Sequence, residues 1–421
     1  MYEKTVLKNG LRIICFPLED RDSVSLGIWV NAGSRFETKR IQGIAHFLEH
    51  LLFKGCRHYS CRQIKEYIEG VGGLLNGFTL EEVCCYFAKL PYKHLELALE
   101  ILSDMVMYPL LLEEDIEKEK GVIKEEIKLH QDLPHSYVQQ ILEEILWPGH
   151  SLGRSGLGTF TSIDRIRRQD LIKFKESHYT LPNIVISACG NLNFEWLVKK
   201  VERLFNSYNF RSKIAFKKVS PYFREPEVKI SVRSTSQTHL AMGFYGLSRS
   251  DPQRYSLGLI HTILGANMSS RLFNEIREKK GLVYEIATQV KYLLDTGTFI
   301  IHAGLDSKNL KTVINLIMKE LNNLKRKNIG IKELKRAKEY YIGQLSLSLE
   351  DTLEHMFWIG ESTITLDKTY TLNQIKDAVN QITAQQIKRL ANQVFLPKKI
   401  RLALVGPIEE GADTIKSYLS K

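Results

Sequence analysis

The chain has 421 residues, of which 43% are apolar and 25% charged, as in folded globular proteins, and this composition excludes a largely disordered chain. The net charge of +11 comes from basic residues spread along the chain, so we predict no nucleic-acid partner. No apolar run reaches the roughly 18 residues of a membrane span, and we predict no membrane partner. The start lacks a cleavable signal, so we expect a cytoplasmic protein, or one delivered without a cleaved signal.

The first hundred residues predict strands separated by helices. Residues 4–17 read as a hairpin around Asn9-Gly10, and residues 23–33 as a strand with alternating apolar side chains. Residues 60–72 read as a helix, and residues 75–90 as strand. Adjacent Cys84 and Cys85 suit opposite faces of that strand. Because none of the six cysteines forms a CxxC pair, we expect no zinc–thiolate site.

The next segments predict two helices, a loop and a closing helix–strand–helix. The helices cover residues 92–108 and the charged stretch 112–132. The Gly- and Ser-rich stretch from Trp147 to Asp164 reads as an ordered surface loop. A helix at 168–179, a strand at 183–190 and a helix at 193–208 follow. The basic stretch after residue 208 contains two prolines and is the best linker candidate.

The order of elements then repeats. Residues 382–406 parallel residues 166–190 closely, and the strand at 237–246 takes the place of the one at 23–33. The chain therefore reads as two copies of one αβ unit of ordinary domain size. We predict an α+β fold of two homologous αβ domains, each a mixed, mostly antiparallel sheet flanked by helices. The predicted limits are a zinc-binding domain at 1–208, a linker at 209–226 and a homologous domain without the zinc motif at 227–421.

One apolar helix, Gly43 to Gly55 (GIAHFLEHLLFKG), contains two histidines and a glutamate, which are not needed to pack a core. His46 and His50 are four residues apart and so stack on one helical face, a spacing at which two imidazoles can share a metal. Glu49 lies beside the second histidine. A catalytic zinc uses three protein ligands, so a third has to come from elsewhere in the chain.

The repeat indicates where that third ligand lies. Aligning the two long charged helices sets Glu119 against Ala337 and Glu126 against Gln344, while the apolar positions match. The two acids are seven residues apart and share one helical face. The second copy's earlier helix keeps only His261. One copy is therefore equipped for a metal and the other is not.

These residues resemble the M16 metallopeptidases over nearly the whole chain. The segment His46–His50 is the inverted zinc motif HxxEH of the inverzincins, and the acidic helix 76 residues further on (126 − 50) resembles that family's third-ligand element. The stretches GSRFET, GGLLNGFT, LGTFTSI and SSRLFNEIREKKGLVYEIAT add to the likeness. The chain is most similar to the short, two-domain branch that includes bacterial processing-peptidase-like proteins and the β subunit of the mitochondrial processing peptidase.

The resemblance implies a zinc site with assigned roles. His46, His50 and Glu126 would hold one Zn²⁺ per chain, and Glu49 would be the general base toward the attacking water. Glu119 would orient a ligand or tune its charge. Glu125, next to the third ligand, reads as a solvated residue.

The resemblance also implies residues that handle the peptide. Tyr284 would donate to the oxyanion and Arg277 would anchor the substrate, although Tyr284 could equally be a core residue. Asn76 would sit on an edge strand that pairs with the substrate, although Asn-Gly also favours turns. His130 and His135 read as ordinary surface histidines.

The expected function is that of a zinc endopeptidase for peptides or unfolded, extended segments. One chain would form half of a clamshell, and a homodimer would close the chamber, with Arg277 and Tyr284 contributed across the interface. The alternatives are a non-catalytic scaffold or regulatory subunit of the same fold, and a heterodimer with another M16 chain. The intact motif favours the enzyme.

Overall fold

Eleven β-strands form two sheets in this computed structural model, which describes residues 2–206, 216–220 and 225–419. The strands are β1 (Glu3–Val6), β2 (Arg12–Pro17), β3 (Ser23–Val30), β4 (Leu74–Thr79), β5 (Cys84–Pro91), β6 (Ile184–Gly190), β7 (Glu227–Val232), β8 (Thr238–Tyr245), β9 (Val283–Tyr292), β10 (Gly297–Leu305) and β11 (Arg401–Gly406).

Helices of six to twenty residues surround the sheets. They are α1 (Ile44–Leu52), α2 (Cys61–Glu69), α3 (Leu95–Met107), α4 (Glu113–Asp132), α5 (Pro134–Leu146), α6 (Phe160–Arg165), α7 (Arg168–His178), α8 (Phe194–Phe205), α9 (Arg254–Leu264), a π-helix (Phe273–Glu278), α10 (Leu310–Arg326), α11 (Ile331–Ser348), α12 (Thr352–Leu366), α13 (Leu372–Asn380), α14 (Ala384–Val394) and α15 (Ala412–Leu419). None of the described helices has the length and apolarity that crossing a bilayer requires.

The two sheets share one topology. The first has the strand order β1-β2-β6-β3-β5-β4 and the second β7-β11-β8-β10-β9. In each sheet one neighbouring pair is parallel, β2 with β6 and β7 with β11, and the other pairs are antiparallel. The second sheet thus repeats the first without β1. The predicted fold class and internal repeat are confirmed.

The helix alignment is confirmed as well. Helix α4 begins at Glu113 and α11 at Ile331, an offset of 218 (331 − 113), the same as that between Glu119 and Ala337 (337 − 119). Both of these aligned residues are buried on their helices. The second copy therefore keeps the packing position but has a methyl group where the first has a carboxylate.

Each compact unit takes one helix from the other half of the sequence. The first unit comprises residues 1–128, 154–217 and 346–370, and the second 129–153, 218–345 and 371–421. Helix α12 thus packs on the first sheet, and α5 on the second. The predicted limits, 1–208 and 227–421, are contiguous, whereas these units are not, because α12 packs on the sheet of the first unit and α5 on the sheet of the second. Of the predicted linker 209–226, residues 209–215 and 221–224 lie outside the described residues.

Helix α12 covers one face of the first sheet, and the helices of the first half cover the other. Cys84 belongs to the core on the α1 and α3 side, and Cys85 to the core beneath α12, as the strand prediction expects. Trp29 lies under α12 and donates from Nε1 to the Ser187 hydroxyl at 2.9 Å. Gly360 of α12 approaches this indole so closely that a Cβ atom there would lie 2.0 Å from Trp29 Nε1.

One prediction needs correction, and one alternative reading is wrong. The stretch from Trp147 to Asp164 does not stay a loop to its end, because α6 begins at Phe160. Thr159 accepts a bond from the Ser162 amide, and the Ser162 hydroxyl accepts one from the Thr159 amide, which starts a helix. The Asn-Gly at Asn76 is not a turn but part of β4, where Asn76 pairs with Phe87 of β5.

We predict that Gly360→Ala lowers the free energy of unfolding by about 1–3 kcal/mol, because the added methyl overpacks the contact with Trp29. Urea unfolding followed by tryptophan fluorescence measures the change. The matched control is Gly121→Ala on α4, where an added Cβ meets no atom within 4 Å; it should be neutral or stabilising by up to about 1 kcal/mol. Equal midpoints for the two variants would contradict the close approach of α12.

Candidate metal centre

Helix α1 carries both histidines of the motif, and its first turn is fixed by a residue outside it. The residue that precedes the helix, Gly43, has φ +90° and no side chain with which to cap the helix. The buried carboxyl group of Glu37 takes this role by accepting bonds from the Gly43 amide at 2.8 Å and the Ala45 amide at 2.9 Å. Two amides that α1 leaves unpaired are thereby satisfied.

The loop before α6 fixes the same end of α1. A Cβ atom on Gly43 would lie 2.7 Å from the Leu157 carbonyl oxygen and 2.8 Å from the Gly158 Cα. The Ser162 hydroxyl donates to the Gln42 carbonyl at 2.7 Å. Only a residue without a side chain fits here at this φ, so the sequence GIAH places α1 directly against the loop.

Helix α4 presents the acids to α1. Ile116, Ile123 and Ile127 are buried, and Glu119 lies among them with its side chain 6% exposed. Glu126 is two turns along and half-buried. Glu125 points outward, 71% exposed, and pairs with Lys128, so its reading as a solvated residue is confirmed.

Three side chains converge between α1 and α4. The Nε2 atoms of His46 and His50 each lie 3.7 Å from Glu126 Oε2, and the three ligand atoms are all within 4.8 Å of one another. In tetrahedral zinc sites with bonds of about 2.0–2.1 Å, neighbouring ligand atoms are about 3.4 Å apart. Small side-chain rotations would bring the three ligand atoms to bonding distance of one ion. The donor set of two imidazoles and one carboxylate therefore fits a zinc ion.

A second acid orients His50. His50 Nδ1 lies 2.9 Å from Glu119 Oε2, and the Lys54 ammonium lies 2.5 Å from Glu119 Oε1. Burial raises the pKa of Glu119, but the hydrogen bonds from Lys54 and His50 outweigh it and hold the pKa below its usual value. A carboxylate only accepts, so in neutral His50 the proton sits on Nδ1 and the lone pair on Nε2 faces Glu126.

Burial keeps His46 neutral. Desolvation, with a smaller contribution from His50, lowers the pKa of His46 to about 4. A metal ligand has to be an unprotonated imidazole, and His46 meets this condition at neutral pH without help from an ion.

Glu49 has the surroundings of a proton carrier. Its Oε2 atom is buried and has no hydrogen-bond partner among the described residues. Burial raises the pKa of Glu49, a hydrogen bond with Thr79 of β4 opposes the rise, and the charge of Glu126 adds to it. A raised carboxyl pKa in a polar cleft is typical of catalytic acids and bases.

The strand next to α1 lies at the edge of its sheet. β4 is the last strand in the order, and Gly77 packs against the ring of Phe53 just after α1. Asn76 is exposed on this strand, and its Oδ1 accepts from the Gly77 amide at 2.8 Å. The predicted edge strand is thus present beside the candidate site.

Arg277 and Tyr284 are neighbours in the second unit. Arg277 lies on the π-helix, where its Nε donates to the Tyr284 carbonyl at 2.8 Å and its guanidinium stacks over the Phe273 ring. Tyr284, on β9, is 73% exposed. The alternative reading of Tyr284 as a core residue is therefore wrong.

Sequence reasoning missed two residues of this site, Glu37 and Lys54. Glu37 falls in GSRFET, a stretch noted only for its likeness, and caps α1 from outside the helix. Lys54 directly follows the motif helix, where a lysine is ordinarily a surface residue. Neither spacing nor periodicity indicates these roles, because both depend on contacts between segments.

Comparison with known proteins assigns the family. The family model described as Insulinase (Peptidase family M16) matches residues 16–159. The model described as Peptidase M16 inactive domain matches residues 165–341. The uncharacterized zinc protease YmxG of Bacillus subtilis is 35% identical, over 97% of this chain and 98% of the relative. The chain belongs to peptidase family M16. The uncharacterized zinc protease SCO5738 of Streptomyces coelicolor is 32% identical, over 97% of this chain and 90% of the relative.

Solved structures share the fold of this M16 chain. A protease from Helicobacter pylori is 22% identical with a TM-score of 0.89, over 97% of this chain and 99% of that chain. A structure named peptidase M16 inactive domain from Pseudomonas fluorescens is 19% identical with a TM-score of 0.90, over 97% of this chain and 100% of that chain. At these identities the likeness concerns the fold alone, which is the two-domain fold predicted from the repeat.

We predict a pH-dependent stability difference between the wild type and Glu37→Gln. Burial raises the pKa of Glu37 from 4.5 to about 8, so the folded chain holds a proton that the unfolded chain releases. Relative to the variant, the wild type should lose free energy of unfolding as the pH rises from about 4.5 to about 8. Urea unfolding at several pH values measures the difference. A pH-independent difference would contradict the burial of a titrating carboxyl at this position.

Proposed function

We propose that this M16 chain is a zinc-dependent endopeptidase that cleaves peptides or unfolded, extended segments. The observation that supports this most directly is the convergence of His46, His50 and Glu126 beside Glu49, whose Oε2 atom is buried. The names of the curated relatives, zinc proteases, agree with it. We propose one zinc ion per chain, held by these three side chains.

The chain's own residues would divide the work of hydrolysis. A bound zinc ion supplies a Lewis acid that polarises the peptide carbonyl and lowers the pKa of water. Glu49 takes a proton from the attacking water and returns it to the amide nitrogen of the leaving peptide. Glu119, itself bound by Lys54, would keep His50 in the tautomer whose Nε2 lone pair is free to bind the metal.

The edge strand selects extended substrates. β4 ends its sheet next to α1, so a peptide in β conformation can pair with its outer side and pass the three ligands. A folded protein has no free segment to add as a strand. Asn76, exposed on β4, would contact this added strand, and the chemistry thus restricts the enzyme to peptides and unfolded chains.

We further propose that the working enzyme is a homodimer. The exposed phenol of Tyr284 and the neighbouring Arg277 have the character of groups that meet a ligand rather than fill a core. In the dimer, Tyr284 would donate to the oxyanion and Arg277 would bind the peptide at the partner's zinc site. Each active site would then require two chains.

We predict that Glu49→Gln retains about one zinc per chain but loses peptide cleavage by about 10²–10⁴-fold, because the amide cannot accept the proton. Metal analysis and cleavage of a quenched, unstructured peptide measure the two properties. Glu125→Gln, one residue from the third ligand but solvent-exposed, is the matched control and should retain both. Zinc binding without cleavage of any unstructured peptide by the wild type would favour a scaffold instead.

We predict that an Arg277→Ala chain and a Glu49→Gln chain, each inactive alone, regain activity when mixed. Random pairing gives half heterodimers, each with one intact site, so roughly a quarter of wild-type activity should return. Native mass spectrometry confirms that mixed dimers form. If they form and no activity returns, Arg277 does not act across the interface.

A further inference from the structure

A cleft in the second unit contains an unassigned group of histidines. It has a volume of about 210 Å³ and lies between the start of α5 and strands β8, β9 and β10. His135, His239 and His302 line it together with Glu285. The centres of the His135 and His239 rings are 6.3 Å apart. This cleft is built entirely from the second unit and is separate from the M16 motif.

The sheet register explains why these side chains share one space. His239 on β8 pairs with Gly304 on β10, and Gly304 in turn pairs with Glu285 on β9. Side chains at paired positions point to the same face of a sheet. Gly304 has no side chain, and the Glu285 side chain lies over it: a Cβ atom on Gly304 would be 3.5 Å from Glu285 Oε1 and 3.0 Å from Gln237 Oε1. His302, two residues before Gly304, is on the same face.

The fold does not by itself produce this cleft. In the first sheet, side chains that contact helix α12 occupy the position that corresponds to the cleft. The counterpart of His239 there is Ser25, whose hydroxyl hydrogen-bonds to Thr352 at 3.0 Å. Beside it Lys89 pairs with Asp351 at 2.7 Å. In the first copy the polar groups of the helix and the sheet pair with each other, whereas in the second copy imidazoles line the cleft.

The chemistry of the lining selects a cation. His302 Nδ1 is buried and has no hydrogen-bond partner among the described residues. Burial lowers the pKa of both His239 and His302, so at neutral pH these rings carry lone pairs and no charge. Glu285 adds a negative charge, which repels anions. Neutral imidazoles with a carboxylate are ligands for zinc and other late divalent transition metals.

We propose that this cleft binds a second divalent transition-metal ion through the imidazoles of His135 and His239, with Glu285 supplying negative charge. With metal–nitrogen bonds of about 2.1 Å, two rings on one ion have centres about 5–6 Å apart, close to the observed separation. His135 is exposed on the first turn of α5, so its ring can turn toward the ion without a backbone change. The site is more open than the M16 motif and therefore weaker.

The test is a Zn²⁺ titration of the full chain by calorimetry, with bound metal counted after equilibrium dialysis. The wild type should bind one more ion than His239→Gln, and His135→Gln should lose the same ion. His135 is at the surface, so this variant remains informative if the strand variant folds poorly. The matched control is His94→Gln, outside both sites, which should bind as many ions as the wild type.

A further variant separates this proposal from the proposed peptidase site. His50→Gln should remove the tighter ion and leave the weaker one in place. Equal metal content in the wild type, His239→Gln and His135→Gln would overturn the second site, whatever His50→Gln does. Loss of the ion in His239→Gln but not in His135→Gln would overturn the shared-ion geometry.

Discussion

The hydrogen bond between His50 and Glu119 joins helix α1 to helix α4, and the arrangement of the candidate metal centre depends on it. It spans 2.9 Å and involves a carboxylate whose other oxygen is bound by Lys54. The bond fixes the ring of His50 and the spacing of the two helices together. With this spacing, Glu126, two turns along α4, reaches the space between both imidazoles. A shift of either helix would separate the three ligand atoms.

The short helix α1 is held from three directions. Its start is fixed by the Glu37 carboxyl group and by backbone contacts of Gly43, its side by Glu119, and its apolar face by the core of the first sheet. A helix of nine residues has little stability of its own, so these contacts rather than helix propensity determine its position. Rigid support of this kind is what a metal site with one open position requires.

The two copies of the fold share the residues that pack the core but differ in the residues that could bind a metal. Positions that pack, such as Ile116 on α4, keep apolar counterparts in the second copy, whereas Glu119 is replaced by buried Ala337. His261, the one histidine left on the matching helix, is bound to Thr288 at 2.7 Å. The second copy thus keeps the core and loses the ligands of this site. It carries its own polar group, the histidines around His239, at a place the first copy has filled.

The sequence by itself determined the two copies, the α+β class and the side chains able to bind a metal. Helical spacing indicates His46 and His50 as a pair, with Glu49 beside them. The repeat points to Glu119 and Glu126, and the likeness to the M16 family implies that Glu126 is the third ligand. Only the tertiary structure decided that Glu37 caps α1 and that Lys54 binds Glu119. It also decided that α12 packs on the first sheet and α5 on the second, and that three histidines line one cleft. These depend on contacts between segments far apart in the chain, which no local pattern specifies.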